Sequence, residues 1–270
     1  MAVSERIEPY EQVILDLDGC VWLGSAPVPG APEAVAELRA SGRGVAFVTN
    51  DPRRSTEEYV AKLWSVGIQA SVADVVTVGG AAQHLLNERH SGRTAFVIGT
   101  EAMHRHVAGA GLRVLNGTDL ASRAEVVVVA GTDHLGYDDL TLANLALRRG
   151  ADLVATSRDP VYPTEEGLVP GTGAILAAVE YASGSTARIV GKPEPELFRA
   201  GLDRLGEGRT LVVGDRLDAD VPAAAKAGLD AALVLTGGTS AEEAEAAPEP
   251  RPRYVAASLP ALVLRDARYS

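Results

Sequence analysis

VILDLDG, residues 13–19, is a short apolar run that ends in two aspartates flanking a leucine and then a glycine. So short and apolar a run reads as a strand buried on both faces, and the Asp-Gly at its end reads as a turn. The pattern recurs in VAFVTN (45–50), VVTVGG (75–80), AFVIGT (95–100), VVVVAG (126–131), DLVATS (152–157), RIVGK (188–192), TLVVGD (210–215) and ALVLTGG (232–238). Between most of these lie helix-like stretches, among them PEAVAELRASG (32–42), STEEYVAKLWSVG (55–67), YDDLTLANLALRRG (137–150) and VPAAAKAG (221–228). Several open on Pro, Ser or Asp and stop at Gly, as helix caps require. This alternation predicts an α/β chain whose parallel sheets are covered on both faces.

Composition narrows the function. The chain has 270 residues and a formal charge of −11, which disfavours extended binding to nucleic acid or to an anionic membrane. A single cysteine forms no internal disulfide, and no Cys/His group has zinc-site spacing. The N-terminal MAVSERIEPYEQ is polar, and no apolar run approaches the ~18 residues of a membrane span, so the expected location is the cytoplasm. Of 25 basic residues only Lys62, Lys192 and Lys226 are lysines. Lys62 and Lys226 fall on predicted helices and read as surface charges.

In open α/β sheets ligands bind beyond the carboxyl ends of the strands, so the residues ending each run are the ones to compare. Four runs end in residues suited to phosphate chemistry: Asp16 and Asp18, Thr49 and Asn50, Lys192, and Asp215 with Asp218 and Asp220 close behind. The runs between about 90 and 157 end instead in Gly-Thr, Ala-Gly and Thr-Ser. This contrast predicts a discontinuous core of residues 1–80 and 184–270, interrupted by an inserted α/β domain of residues 81–183, with ASGSTA at 182–187 as the return linker.

Taken together, DLDGCVWLG (16–24), VTND (48–51), ATSRDPVYPTEEGLVPGTGA (155–174), GKPEPELF (191–198), GDRLDADVPAAAKAGL and VLTGG resemble the haloacid dehalogenase (HAD) superfamily of phosphohydrolases. Within it they are similar to the NagD-like, p-nitrophenylphosphatase-like class IIA. The resemblance implies a Rossmann-like parallel-sheet HAD core with an inserted α/β cap domain. It implies that Asp16 is a nucleophile that becomes an aspartyl-phosphate, and that Asp18 is the general acid and then base. Asp16, Asp215 and the backbone carbonyl of Asp18 match the Mg²⁺ ligands, and Asp220 matches an acid that orients the site. Thr49, Asn50 and Lys192 match the phosphate-binding positions. The implied substrate is a small phosphorylated metabolite, of glycerol phosphate, phosphoglycolate or sugar phosphate type, handled by a monomer or homodimer.

Three positions depart from the family pattern. Cys20 stands where Thr or Val is usual, Asp51 replaces the second Asn of Thr-Asn-Asn, and Ser157 stands where Asn is common. Asp51 is expected either to cap the helix that follows or to pair with Arg53 or Arg54, the cap being favoured. In the insert, Arg158 and Asp159 open a long loop rich in Pro and Gly and are the candidates for substrate contact. Gly171-Thr172-Gly173 looks like a phosphate cradle, but with no lysine after it the sequence favours a packing role. All five histidines, at 84, 90, 104, 106 and 134, fall in the insert, which argues against a histidine phosphatase. A dehalogenase or phosphomutase on the same core, or a non-catalytic phospho-receiver module, is the alternative reading.

Overall fold

In the strand Gln12–Asp16, Val13, Ile14 and Leu15 are fully buried, as a strand covered on both faces must be. The computed structural model describes residues 2–164 and 167–265 and divides the chain into two compact units. The first contains the chain up to Thr49, residues Thr56–Val76, and the chain from Lys192 onward. The second contains Asn50–Ser55 and Thr77–Gly191.

The first unit is built on a six-stranded sheet in the order Tyr254–Ala256, Asp230–Val234, Thr210–Gly214, Gln12–Asp16, Gly44–Thr49, Val75–Thr77. Pairing is parallel from Tyr254–Ala256 through to Gly44–Thr49. From the central strand Gln12–Asp16 the chain moves first toward one edge, through Gly44–Thr49 and Val75–Thr77. It then returns to build Thr210–Gly214 on the other side. That reversal makes the carboxyl end of Gln12–Asp16 a topological switch point, where open α/β sheets hold ligands. The helices Ala31–Ala40, Thr56–Ser65, Glu196–Leu205 and Asp220–Ala227 accompany this sheet.

The second unit carries a five-stranded parallel sheet in the order Arg188–Ile189, Asp152–Ala155, Val126–Val129, Thr94–Ile98, Arg113–Val114. Its core is a layer of small and branched residues such as Val127, Val129, Ala143 and Leu176. Two local features set its limits. Thr77 ends one strand and at once caps the helix Val78–His90, its Oγ1 accepting from the Gly80 N–H at 3.1 Å. At the other end Arg188–Ile189, beyond the 182–187 linker, pairs with Asp152–Ala155. Within the loop 156–173 the strands Val161–Thr164 and Gly167–Pro170 form an antiparallel hairpin.

Candidate active site

Register places the core residues. Leu15 pairs with Val213 and Asp16 with Val48, so Asp16, Asp215 and Thr49 all lie at the carboxyl ends of three adjacent strands. Neighbouring strands are about 4.8 Å apart, which puts the three side chains within reach of one small ligand. Lys192, just past Arg188–Ile189, is only 3% exposed, and its Nζ donates to Asp16 Oδ1 and Asp220 Oδ1, both at 2.6 Å. One ligand oxygen each from Asp16, Asp215 and Asp220 falls within 4.8 Å of the others.

Three buried carboxylates against one ammonium leave an excess of negative charge. Burial raises Asp16 well above the ordinary carboxyl range; Lys192 pulls it down, and the charges of Asp220 and Asp215 add to the rise. Asp215 is pushed up to about 6, by burial first and the Asp220 charge second, against the Gly238 N–H, Lys192 and Arg216. Burial pulls Lys192 down, but Asp16 and Asp220 outweigh it, and the ammonium is held well above its usual value. An all-oxygen donor set with surplus negative charge fits a hard divalent cation.

Backbone close approach fixes Asp215. Its Oδ2 accepts from the Gly238 N–H at 2.5 Å. A Cβ at Gly19 would lie 2.3 Å from that oxygen, and one at Gly237 only 2.0 Å from it. Gly19 also has φ +82°, so a side chain there is refused by both space and backbone. Gly214 does the same for Asp220, whose Cγ would lie 2.2 Å from an added Cβ. Both Asp220 oxygens are engaged, Oδ1 by Lys192 and Oδ2 by the Arg216 N–H at 3.1 Å. A strand-end Gly-Gly was the only sequence signal for Gly237 and Gly238, and it is common in ordinary turns.

Asp18 lies in the tight turn after the strand, where the Gly19 N–H donates to Trp22 O at 2.8 Å. Its Oδ1 accepts from the Trp22 indole N–H at 2.8 Å. Cys20 is fully buried, its Sγ 3.9 Å from Val213 O, and burial raises its thiol well above the ordinary value. It is therefore an inert packing group rather than a nucleophile.

The remaining candidates gather in the second unit. Asn50 Nδ2 donates to Asp159 Oδ2 at 3.0 Å. Arg158 forks onto Glu180 at 2.9 and 2.8 Å, which raises the guanidinium and lowers the carboxyl. Asp51 takes the second of the two roles the sequence offered it. It takes the Arg53 backbone N–H at 3.1 Å and the Arg53 guanidinium at 2.6 and 2.9 Å, because a residue two positions away offers both an amide and a fork. The Arg53 fork also lies 3.5 Å from the centroid of the Tyr162 ring. Gly171 and Gly173 pack against backbone, their N–H groups donating to Pro160 O and Asp159 O at 2.9 and 2.8 Å, so the Gly-Thr-Gly turn is a packing device.

Comparison with known proteins gives the family. A haloacid dehalogenase-like hydrolase model matches residues 13–113, and a HAD-hydrolase-like model matches residues 189–262. The D-glycerol 3-phosphate phosphatase of Mycobacterium tuberculosis is 39% identical over 257 residues, covering 94% of this chain and 71% of that protein. The chain belongs to the haloacid dehalogenase-like hydrolases. It sits among their phosphatases. Mouse chronophin is 37% identical over 91% of this chain and 87% of that protein. The crystal structure of the M. tuberculosis glycerol phosphate phosphatase in complex with magnesium superposes with a TM-score of 0.88, covering 97% of this chain and 78% of that one. The two matched segments of this HAD-like hydrolase carry Asp16, Asp18 and Thr49 in one and Lys192, Asp215 and Asp220 in the other. Among its described residues no helix is long and apolar enough to cross a membrane.

The carboxylate cluster also predicts a stability effect. A folded-state pKa near 6 against an ordinary 3.8 means that the Asp215 contribution is favourable below about pH 4 and is lost as pH rises through about 6. In EDTA at pH 7, Asp215→Asn is therefore expected to unfold at higher temperature than the parent, by an amount worth on the order of 2 kcal/mol. The two should converge near pH 4. Thermal denaturation at the two pH values checks this, and a variant less stable at pH 7 would contradict it.

Proposed function

We propose that this HAD-like phosphatase hydrolyses small phosphomonoesters of the glycerol phosphate, phosphoglycolate or sugar phosphate class in the cytoplasm, through an aspartyl-phosphate on Asp16. The observation that carries the reading is the buried Lys192 ammonium held between Asp16 and Asp220, with Asp215 beside them. Such a cluster is costly unless it serves an anion and a cation together.

In this reading Thr49 and Lys192 orient the phosphoryl oxygens, and a carboxylate oxygen of Asp16 attacks phosphorus. The ester P–O bond breaks, and Asp18 gives its proton to the departing alkoxide. Water then attacks the aspartyl-phosphate and loses a proton to Asp18, and the bond between phosphorus and the Asp16 oxygen breaks to release inorganic phosphate. The nucleophile and the acid are thereby restored. Asp16, Asp215 and the Asp18 carbonyl would hold Mg²⁺, with Asp220 steering Lys192 rather than serving as a ligand. When bound, Mg²⁺ supplies neutralisation of the charge that builds on the phosphoryl oxygens. Asn50 is assigned to phosphate binding, and Asp159, which accepts from its side chain, to substrate contact. Arg158 would have to leave Glu180 to take part.

The test is phosphate release from glycerol 3-phosphate, phosphoglycolate, glucose 6-phosphate and p-nitrophenyl phosphate, with Mg²⁺ or with EDTA. Release is expected to fall by about three orders of magnitude in EDTA and to return on adding Mg²⁺. Hydrolysis that persists in EDTA would sink the metal-dependent reading.

A further inference from the structure

Lys62 is not the surface charge expected from its helix. On the helix Thr56–Ser65, residues 59 and 62 are three apart and so share one face. That face meets Trp22. The Trp22 ring is fully buried, Tyr59 lies parallel to it at 6.5 Å with an interplanar angle of 3°, and Lys62 Nζ stands 4.0 Å from the ring centroid. The indole N–H of the same ring donates to Asp18 Oδ1 at 2.8 Å.

We infer that Trp22, seated by Tyr59 and Lys62, is a positioning residue that sets the Asp18 carboxyl and assigns its transferable proton to Oδ2. The inference rests on Asp18 acting as the acid, as proposed above. An indole nitrogen can only donate, so Oδ1 must offer it a lone pair whether the carboxyl is protonated or not. A protonated oxygen is the weaker acceptor, so this bond favours the transferable proton of Asp18 on Oδ2. A donor at 2.8 Å also stops the carboxyl from rotating about χ2, which is broad in a free aspartate. The ammonium over the ring face draws electron density from the indole and makes its N–H a better donor, while a fully buried ring beside Tyr59 and Lys62 cannot swing away.

A group that only positions the acid matters in proportion to how much the leaving group needs a proton. An alkoxide needs one, whereas p-nitrophenolate leaves as a stable anion. Trp22→Phe keeps a ring beside Tyr59 and Lys62 and removes the N–H. It is expected to lower kcat/KM for propyl phosphate by about tenfold or more and for p-nitrophenyl phosphate by less than about threefold. Lys62→Met, which keeps the aliphatic stem, should give the same selectivity at smaller amplitude. Equal losses on both substrates, or no loss, would overturn the inference.

Asp18→Asn separates this from the reading it depends on. If Asp18→Asn lowers kcat/KM for both substrates alike, a quantity set by formation of the aspartyl-phosphate and not by its later hydrolysis, the assignment of Asp18 as acid fails. If Asp18→Asn is selective and Trp22→Phe is not, only the positioning role fails. Because Trp22 is buried in the core and Trp22→Phe could prove unstable, the bond is also read in the intact protein. The chain has two tryptophans, and the second, Trp64, is 55% exposed and donates to Ala70 O, so Trp64→Phe assigns their two indole N–H resonances. Asp18→Ala is expected to shift the Trp22 indole proton upfield, and an unmoved resonance overturns the inference.

Discussion

Replacing Asp16 with asparagine is expected to lower kcat for phosphate release by about four orders of magnitude or more while leaving the fold intact. The change is nearly isosteric and removes one thing, the anionic nucleophile. Asparagine still presents a carbonyl oxygen to Lys192, which now donates to Asp16 Oδ1 at 2.6 Å. Burial, more than any other influence, disfavours charge on Asp16, with Asp220 and Asp215 adding to it, so the neutral variant should be no less stable without metal. Loss of activity together with an unchanged or raised unfolding temperature is the expected pair of results. Turnover within about tenfold of the parent would mean that the phosphoryl group is carried elsewhere.

Lys192→Met is expected to damage both activity and stability. The ammonium touches Asp16 and Asp220 at 2.6 Å, and all three side chains are nearly inaccessible to water. Removing the cation leaves three carboxylates to repel one another in a medium that solvates them poorly, a loss of about 3–5 kcal/mol at neutral pH. The loss should shrink on acidification, because Asp215, already raised to about 6, and Asp16, raised further by the missing cation, then take up protons. kcat/KM should fall by about three orders of magnitude, as a preorganised charge on the phosphoryl oxygens is lost. Lys192→Arg should rescue little, since a planar fork does not fit where one nitrogen serves two carboxylates at once. Adding Asp220→Asn to Lys192→Met removes part of the repulsion and should recover stability without recovering activity. Chemical denaturation and initial rates on the three variants check these expectations together. A Lys192→Met protein as stable as its parent at pH 7 would contradict the charge argument.

Much of the fold was legible because parallel strands buried on both faces leave short apolar runs, each ending where the chain turns toward a ligand. VILDLDG and TLVVGD are strands Gln12–Asp16 and Thr210–Gly214, adjacent and in parallel register. The hairpin at 161–170 was not legible, since two prolines and a glycine interrupt its ten residues and its pairing is with itself rather than with a sheet. RIVGK, read as a strand run, is the strand Arg188–Ile189, but two residues carry too little pattern to show that it pairs with Asp152–Ala155. In the site, residues whose chemistry is intrinsic, such as Asp16, Lys192 and Asp215, stood out at strand ends. Residues that matter by contact did not. Nothing in a helical lysine predicts a ring beneath it, and Trp22, in a run of apolar residues, reads as core until its N–H is seen to reach Asp18. Asp51 shows the same limit, because a cap and an i, i+2 pair with Arg53 look alike along the chain.

Phosphoryl transfer to Asp16 itself is most directly tested by trapping. Asp18→Asn should still accept a phosphoryl group from p-nitrophenyl phosphate, whose leaving group needs no acid, and should stall before water cleaves it. Acid quenching, borohydride reduction and peptide mass spectrometry are then predicted to find homoserine in place of aspartate at position 16. Recovery of unmodified Asp16 beside reduced Asp215 or Asp220, or of no reduced residue while p-nitrophenol is released in a burst, would contradict the assignment.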